Sequence, residues 1–263
     1  CYPSDHNNGQ FIPNWAMWFV IQLGEYAKRS NDWDLVNALK PKVLALVKFF
    51  DAYKNSDGLL EKLPSWVFVE WSKANDFVQD VNYPSNMLFA GVLDTVAELY
   101  KLPEYKQEAE KIRDTIRKQS FDGTFFVDNA VRKDGKLEVT RNRTEVCQYF
   151  AFFFKVATSE THPDLWNILR NDFGPHRKEN NKYPEVYLAN SFIGNVLRAE
   201  LLTLSGEGDK VLDESVGYLD YMAQRTGTLW ENVDDGASLN HGFASHVVYI
   251  YDRIAMGISE YDP

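Results

Sequence analysis

Residues 13–50, PNWAMWFVIQLGEYAKRSNDWDLVNALKPKVLALVKFF, decide the fold because they hold two helical patterns with almost nothing between them. In the first pattern, large apolar residues from Trp15 to Tyr26 recur on one helical stripe, after a proline at the opening turn. In the second, apolar residues from Leu35 to Phe50 advance by four, four, three and four positions. Two helices joined by so short a link must run antiparallel, so this stretch predicts a helical hairpin.

The same unit recurs along the chain. Further helical patterns occur at 88–99, 105–116, 146–153, 165–169, 193–204, 212–222 and 243–254. Together they predict nine helices, which form four hairpins and one unpaired helix, whereas a closed toroid of six hairpins needs twelve. We therefore predict that residues 1–263 are part of a single all-α domain, an α/α toroid or solenoid fragment built from repeated hairpins and truncated at its N-terminal side.

The predicted connections between hairpins are much longer than those inside them. They cover 54–83, 120–142, 172–186 and 226–238. In stacked antiparallel hairpins all such connections emerge at one end, and long loops gathered on a rigid scaffold are where function usually lies. The second connection also predicts a small β-hairpin, because FFVDNAV and KLEVT flank Lys133-Asp134-Gly135.

Composition excludes several classes of partner and cofactor. A net charge of −10 and a pI near 5.0 argue against nucleic acid and anionic membranes, and the longest apolar run, 149–154, is too short to cross a bilayer. The sequence contains no glycine-rich phosphate loop, no Gly-x-Ser-x-Gly elbow and no Cys-x-x-Cys motif. His241 and His246 are five residues apart and therefore do not share the helical face that a zinc site needs. We predict no cofactor and no metal.

The beginning of the chain predicts a larger parent protein. The sequence starts without Met and without a signal peptide, at a Cys-Tyr-Pro-Ser turn that leads directly into the first helix. Upstream domains of the same parent chain are therefore the expected partners. The compartment stays open, with a secreted or periplasmic location favoured.

Aromatic and acidic residues collect in the long connections. The first holds Trp66, Glu70 and Trp71, and the fourth holds Trp230 and Glu231. Flat apolar rings beside carboxylates are what a sugar needs, because rings cover its C–H faces and carboxylates bind its hydroxyl groups. A loop tryptophan, however, more often covers the core, and an isolated loop glutamate is usually solvated. From these residues alone both interpretations stay open.

The order of the motifs resembles the catalytic domain of the α-L-rhamnosidases of glycoside hydrolase family 78. The resemblance covers nearly the whole chain and is most specific in the Trp-Val-Phe-Val-Glu-Trp block and in the Thr-Leu-Trp-Glu block followed by Ser-Leu-Asn-His. The stretches that carry it are IPNWAMWFVIQLGEY (12–26), DGLLEKLPSWVFVEW (57–71), LANSFIGNVLRAELL (188–202), TGTLWEN (226–232) and SLNHGFASH (238–246).

The resemblance implies an (α/α)6 barrel that hydrolyses terminal α-L-rhamnosides, or a related sugar, with inversion. It implies that Glu231 is the general base, that His241 lies in the pocket, and that Trp66 and Trp71 pack against the C6 methyl side of rhamnose. It places the general acid in an acidic, arginine-containing stretch upstream of the first helix, and this sequence contains no such stretch. The family usually has Asp where this chain has Glu70.

Two further functional hypotheses belong to other classes. One is a non-catalytic toroid that binds carbohydrate or scaffolds neighbouring domains. The other is a different enzyme on an α/α barrel, such as a sugar epimerase, which would need two histidines facing each other across the pocket. Only His241 is well placed for that role among five histidines.

We predict that Trp66, Glu70, Trp71, Trp230 and His241 contact a carbohydrate substrate.

Overall fold

The computed structural model describes residues 11–257, and its first two helices form the predicted hairpin. They are α1 (Pro13–Ser30) and α2 (Trp33–Asp51). Asn31 ends α1 in the left-handed conformation, with φ 54°. Asp32 caps α2, because its Oδ1 accepts a hydrogen bond from the Leu35 amide at 3.0 Å while its Oδ2 accepts one from the Tyr26 hydroxyl at 2.8 Å.

The remaining helices follow the predicted order. They are α3 (Tyr83–Tyr100), α4 (Pro103–Ser120), α5 (Glu145–Phe153), α6 (Pro163–Asn171), α7 (Arg177–Asn180), α8 (Gly194–Leu204), α9 (Gly208–Ser215), α10 (Tyr221–Thr226) and α11 (His246–Met256). The helices α1, α3, α5, α8 and α11 form an inner row, each packed against the next. The helices α2, α4, α6 and α9 are the antiparallel outer partners of α1, α3, α5 and α8. For α11, the described chain contains no such partner.

The inner row curves until its two ends meet. The Arg29 guanidinium on α1 lies 5.5 Å from the centre of the Tyr249 ring on α11. A cavity of about 580 Å³ lies between α1, α8 and α11, and Trp18, Val196 and Phe243 are among its lining residues. The predicted all-α toroid of antiparallel hairpins is therefore confirmed.

Three details of the helices differ from the prediction. The outer helix predicted at 212–222 is interrupted, because residues 216–220 form a π-helical turn between α9 and α10. The last helix begins at His246 rather than at Phe243, which belongs to a 3-10 turn over 242–245. The short helix α7 (Arg177–Asn180) was not predicted and lies within the connection predicted at 172–186. Short helical turns of these kinds carry no apolar periodicity, so the pattern could not reveal them.

The predicted β-hairpin is confirmed. Strand β2 (Asn129–Lys133) pairs antiparallel with β3 (Lys136–Val139), and the turn residues Asp134 and Gly135 both have positive φ, 47° and 78°. A strand that was not predicted, β1 (Val81–Asn82), pairs with the other edge of β2. This strand leads directly into α3, and the Asn82 side chain caps that helix by accepting from the Ser85 amide at 2.9 Å.

The inner helices approach each other closely at glycines. A Cβ added to Gly24 on α1 would lie 2.7 Å from Thr95 Cγ2 on α3, and one added to Gly91 on α3 would lie 2.4 Å from Phe154 Cδ1. Phe154 is buried and packs against Trp18 and Phe150, so its ring has little room to move. Over residues 11–257 none of the helices combines the length and the hydropathy that a bilayer span requires.

We expect Gly91→Ala to lower the free energy of unfolding by about 1–3 kcal/mol, because the new methyl group overpacks the contact with Phe154. The intrinsic helix preference of Ala over Gly, about 1 kcal/mol, acts in the opposite direction and is smaller than a severe overpacking cost. Urea denaturation measures the difference. Gly242→Ala is the control, because among the described residues none but its direct neighbours comes within 4 Å of its added Cβ. Equal or greater stability of Gly91→Ala would contradict the close approach.

Candidate functional site

The long connections meet at one end of the toroid. The Tyr83 amide donates to the Asp128 carbonyl at 2.8 Å, and the Tyr187 amide donates to the Arg143 carbonyl at 2.9 Å. The segments joined in this way, together with the last connection, cover 52–82, 121–144, 172–193 and 227–245. The face that they build is called the rim below.

Five aromatic rings form a continuous cluster on the rim. The buried Phe68 ring is central, with its centroid 4.9 Å from Trp71, 5.4 Å from Trp66, 5.3 Å from Trp15 and 5.9 Å from Phe192. The centroids of Trp66 and Trp71 are 5.6 Å apart. These two indoles are 39% and 38% exposed, whereas Phe68 is 3% exposed. The five rings, called the aromatic platform, therefore turn two indoles to solvent above a buried base.

The peptide chain around the platform is fixed from below. Asn14, a buried residue of α1, accepts a hydrogen bond from the Phe68 amide at 3.2 Å and donates one to the Ser85 hydroxyl on α3 at 2.9 Å. The neighbouring side chains Val67 and Val69 are buried as well. Because two inner helices hold this segment through one amide side chain, Trp66 and Trp71 stand on a rigid support.

Glu231 lies against the platform. Its Oε1 accepts a hydrogen bond from Trp71 Nε1 at 2.7 Å, and its Oε2 accepts a longer one from the Ser238 amide at 3.4 Å. The Glu231 amide donates to the Ser238 carbonyl at 2.9 Å, and the Glu231 carbonyl accepts from the Ser191 hydroxyl at 3.2 Å. The carboxylate is thus positioned through its backbone and through one indole, and the side chain is partly exposed.

His241 touches the platform through Phe192. The two ring centroids are 5.2 Å apart in an edge-to-face arrangement, and Phe192 also stacks on Phe243 at 4.3 Å. His241 Nδ1 accepts from the Phe243 amide at 3.3 Å, which leaves Nε2 to carry the proton in the neutral ring. Of the predicted site residues, the structure therefore brings Trp66, Trp71, Glu231 and His241 together.

Trp230, predicted to contact substrate, is instead buried. It is 2% exposed and packs against Leu219, Met222 and Val247, while its Nε1 donates to the Thr226 hydroxyl at 2.7 Å. The next residue, Glu231, is partly exposed and meets Trp71 on the rim. The ring therefore anchors the loop that carries Glu231.

Glu70, the second predicted contact that is buried, lies beneath the rim with none of its surface exposed. Its Oε1 accepts from the Gly194 amide at 2.5 Å, and its Oε2 has no hydrogen-bond partner within residues 11–257. Burial raises the pKa of Glu70, as does the carboxylate of Glu145, while the nearby Ser72 hydroxyl and the amides of Gly194 and Asn190 lower it, and the net result is a pKa of about 7. At this position the carboxyl group supports the rim from inside.

Two more buried carboxyl groups accompany Glu70. Asp128 Oδ1 accepts from the Thr144 hydroxyl at 2.7 Å, and burial together with the charge of Glu70 raises the pKa of Asp128 to about 8. Burial also raises the pKa of Glu145, although the Arg177 guanidinium, 2.8 Å away, opposes the shift. The sequence did not reveal this burial, because acids in long connections and in the first turn of a helix are usually solvated.

Sequence reasoning also missed the polar residues that hold Glu231 in place. Asn190, Ser191 and Ser238 make most of these contacts. The only available signal was the Asn-Ser pair just before α8, and such a pair ordinarily indicates nothing more than a helix cap. The cavity between α1, α8 and α11 does not include Glu231, Trp66 or Trp71 among its lining residues. It reaches the platform only through Trp15.

No protein-family model matches the chain, and no curated protein matches it. The solved structures do contain matches. One is the crystal structure of a family 78 rhamnosidase from Bacillus sp. GL1, with a TM-score of 0.78 at 17% sequence identity. The matched region covers 92% of this chain and 26% of the Bacillus chain, so this chain spans about a quarter of that protein's length. The likeness shows that the chain has the fold of the corresponding helical domain.

The raised pKa of Glu70 predicts a pH dependence of stability. The folded chain keeps the proton up to about pH 7, whereas the unfolded chain releases it near the ordinary pKa of 4.5. The stabilisation is therefore complete below the ordinary value and is lost as the pH rises through 7. A shift of this size corresponds to about 3 kcal/mol.

We expect the unfolding free energy of the wild type to fall between about pH 5 and pH 8, and Glu70→Gln to remove up to about 3 kcal/mol of that fall. Chemical denaturation at several pH values measures both slopes. Glu104→Gln, at an exposed position on α4, controls for the change in net charge. An unaltered slope in Glu70→Gln would show that this group does not titrate in the folded chain as described.

Proposed function

We propose that this chain is part of a glycoside hydrolase of the α-L-rhamnosidase type, which removes a terminal α-L-rhamnose or a related sugar by inversion with Glu231 as general base. One observation carries the proposal. The Glu231 carboxylate is hydrogen-bonded to the Trp71 indole at 2.7 Å, beside a second exposed indole on a rigid aromatic base. A carboxylate held against exposed tryptophan rings is the arrangement that a sugar-cleaving site needs.

The platform suits the apolar side of a deoxy sugar. The indoles of Trp66 and Trp71 are tilted 54° to each other, so together they form a shallow angle rather than one flat wall. A six-membered pyranose ring with a C6 methyl group can place its C–H faces against them, while its hydroxyl groups turn to polar neighbours. His241 is the polar neighbour that we assign to the opposite edge, because its ring adjoins Phe192.

The two oxygens of Glu231 have different tasks in this proposal. Oε1 is held by Trp71, whereas the one hydrogen bond to Oε2 within residues 11–257 is the long contact from the Ser238 amide. Oε2 therefore accepts the proton of the attacking water. The water oxygen bonds to the anomeric carbon, the glycosidic C–O bond breaks, and the leaving oxygen takes a proton from a carboxylic acid on the other face of the sugar, about 6.5 to 9.5 Å from Glu231. We propose that this acid comes from an upstream part of the parent chain.

Supporting roles fall to the two buried residues. Trp230 holds the loop that carries Glu231, and Glu70 holds the segment that leads into α8. Neither side chain reaches the rim surface, so we do not assign them substrate contacts. The fold shared with the Bacillus rhamnosidase supports the proposal at the level of architecture. The chemical assignment depends on Glu231 and the platform.

We expect the full-length protein that contains this chain to hydrolyse an aryl α-L-rhamnoside, and Glu231→Gln to lower kcat by at least about 1,000-fold, since Gln cannot take up the proton of water. Release of the aryl group measures the rate, and NMR of the first sugar anomer formed tests for inversion. Glu160→Gln is the matched control, because this exposed residue lies in the link inside the third hairpin. Full activity of Glu231→Gln would refute the assignment.

A second measurement on the same protein separates sugar binding from catalysis. Titration of the protein with rhamnose, followed by tryptophan fluorescence, detects occupation of the platform independently of turnover. Binding without any hydrolysis by the full-length wild type would favour the non-catalytic carbohydrate-binding toroid. If the protein neither binds rhamnose nor hydrolyses the rhamnoside, the sugar-binding proposal is wrong.

We expect Trp71→Phe to lower kcat by about tenfold while KM changes less, because the variant keeps an aromatic ring but loses the hydrogen bond that orients Glu231. Trp66→Ala should mainly raise KM, because this indole contacts neither oxygen of Glu231. Steady-state kinetics on the aryl rhamnoside compare the two variants. A pure KM effect from Trp71→Phe would contradict an orienting role for its N–H group.

A further inference from the structure

A single amide side chain, that of Asn190, joins three connections of the rim. Its Nδ2 donates to the Trp71 carbonyl at 2.5 Å in the connection 52–82 and to Asn232 Oδ1 at 3.3 Å in the connection 227–245. Its Oδ1 accepts from the Val233 amide at 2.9 Å in that last connection. Asn190 itself belongs to 172–193, so its side chain ties the Trp71 segment to the Glu231 segment.

The hydrogen-bonding capacity of the Asn190 amide is completely used. Oδ1 also accepts from the Ser191 amide at 2.6 Å, so both lone pairs of the oxygen and both hydrogens of Nδ2 have partners. Only one orientation of the amide satisfies them, because the Trp71 carbonyl can only accept and the Val233 amide can only donate. The carboxylate of an aspartate would have no hydrogen to donate to the Trp71 carbonyl. A hydroxyl group of Ser or Thr would reach fewer of them.

The backbone of Asn190 stands on the scaffold. Its carbonyl accepts from the Asn195 amide at 3.0 Å in the first turn of α8, and the buried Glu70 holds the Gly194 amide just beyond it. Ser191, the next residue, donates its hydroxyl hydrogen to the Glu231 carbonyl at 3.2 Å. The contacts of Asn190 and Ser191, called the clamp below, are therefore fixed to an inner helix. They hold 231–233, at the start of the segment 231–241, which has no regular helix or strand.

We propose that Asn190 is a positioning residue that keeps the Glu231 carboxylate in register with the Trp71 indole. The kinetic part of this inference rests on the proposed function, whereas the structural part does not. Without the clamp, the Trp71–Glu231 hydrogen bond would have to hold together two segments that the scaffold no longer aligns. A displacement of about 1 Å at a reacting group can cost about 100-fold in rate.

The test uses two substitutions of Asn190 in the full-length protein. Asn190→Ala removes every hydrogen bond that the Asn190 side chain makes. Asn190→Asp retains the oxygen that Val233 and Ser191 donate to, but it loses the donor to the Trp71 carbonyl and turns a negative charge toward that oxygen. Asn167→Ala is the control, because Asn167 is an exposed asparagine on α6. Hydrogen exchange by mass spectrometry and steady-state kinetics are measured on each protein.

In Asn190→Ala we expect the peptide covering 231–233 to exchange about fivefold or more faster, because the Val233 amide loses its acceptor. In Asn190→Asp that peptide should stay close to wild type while kcat still falls. We expect kcat to fall by about 10- to 100-fold in Asn190→Ala, with a smaller change in KM. Asn167→Ala should match the wild type in both measurements.

The two measurements separate failure of the clamp from failure of the function. Unchanged exchange at 231–233 in Asn190→Ala overturns the clamp, whatever the activity. Faster exchange in a protein that hydrolyses no rhamnoside supports the clamp and contradicts the proposed function. Faster exchange with an unchanged kcat in an active enzyme limits Asn190 to a structural role and overturns the positioning inference. If Asn190→Ala does not fold, Asn190→Asp decides, because a kcat equal to that of the wild type would exclude the role.

Discussion

Antiparallel packing of helical hairpins is the constraint on which the rest of this structure depends. Because each outer helix returns the chain to its starting level, every inner helix begins at the same end, and every long connection must lie there. The short links, such as Asn31-Asp32, have no freedom to do anything else. Trp71 and Glu231 are 160 residues apart in sequence, and they share a hydrogen bond because of this repeat. The scaffold brings the segments to one end, and polar side chains then set the final register.

The rim shows two ways of holding loops that have no regular structure. Buried hydrogen bonds to the inner helices fix the segments from below: Asn14 of α1 accepts from the Phe68 amide, and Glu70 of the connection 52–82 accepts from the Gly194 amide of α8. Side chains within the rim fix the segments to each other, as Asn190 does. Both solutions are polar, because a loop has backbone groups that must be satisfied once water is excluded. The cost is a set of carboxyl groups that are easier to bury with a proton than without one.

The helices and the β-hairpin could be predicted from the sequence because each has a local cause. Apolar spacing defines α1 to α6, and the Asp-Gly pair at 134–135 defines the turn between β2 and β3. The π-helical turn at 216–220 and strand β1 have only tertiary causes, so no local pattern revealed them.

The candidate site could be predicted only in part. Aromatic and acidic composition pointed to Trp66, Trp71, Glu231 and His241, but neighbouring residues of one segment face opposite sides, and composition could not tell that Glu70 and Trp230 face inward.

Exposure decides which acid can take part in chemistry on a sugar. Glu70, Asp128 and Glu145 are all within 1% of complete burial, so no substrate atom can reach them without opening the fold. With pKa values of about 7 and about 8, Glu70 and Asp128 also retain protons in a range where a general base must be ionised. Glu231 is partly exposed, and an indole N–H and an amide N–H donate to its two carboxylate oxygens. The environments of these acids therefore divide their tasks, since the buried ones support the rim and the acid at the surface is the one that can meet water and sugar.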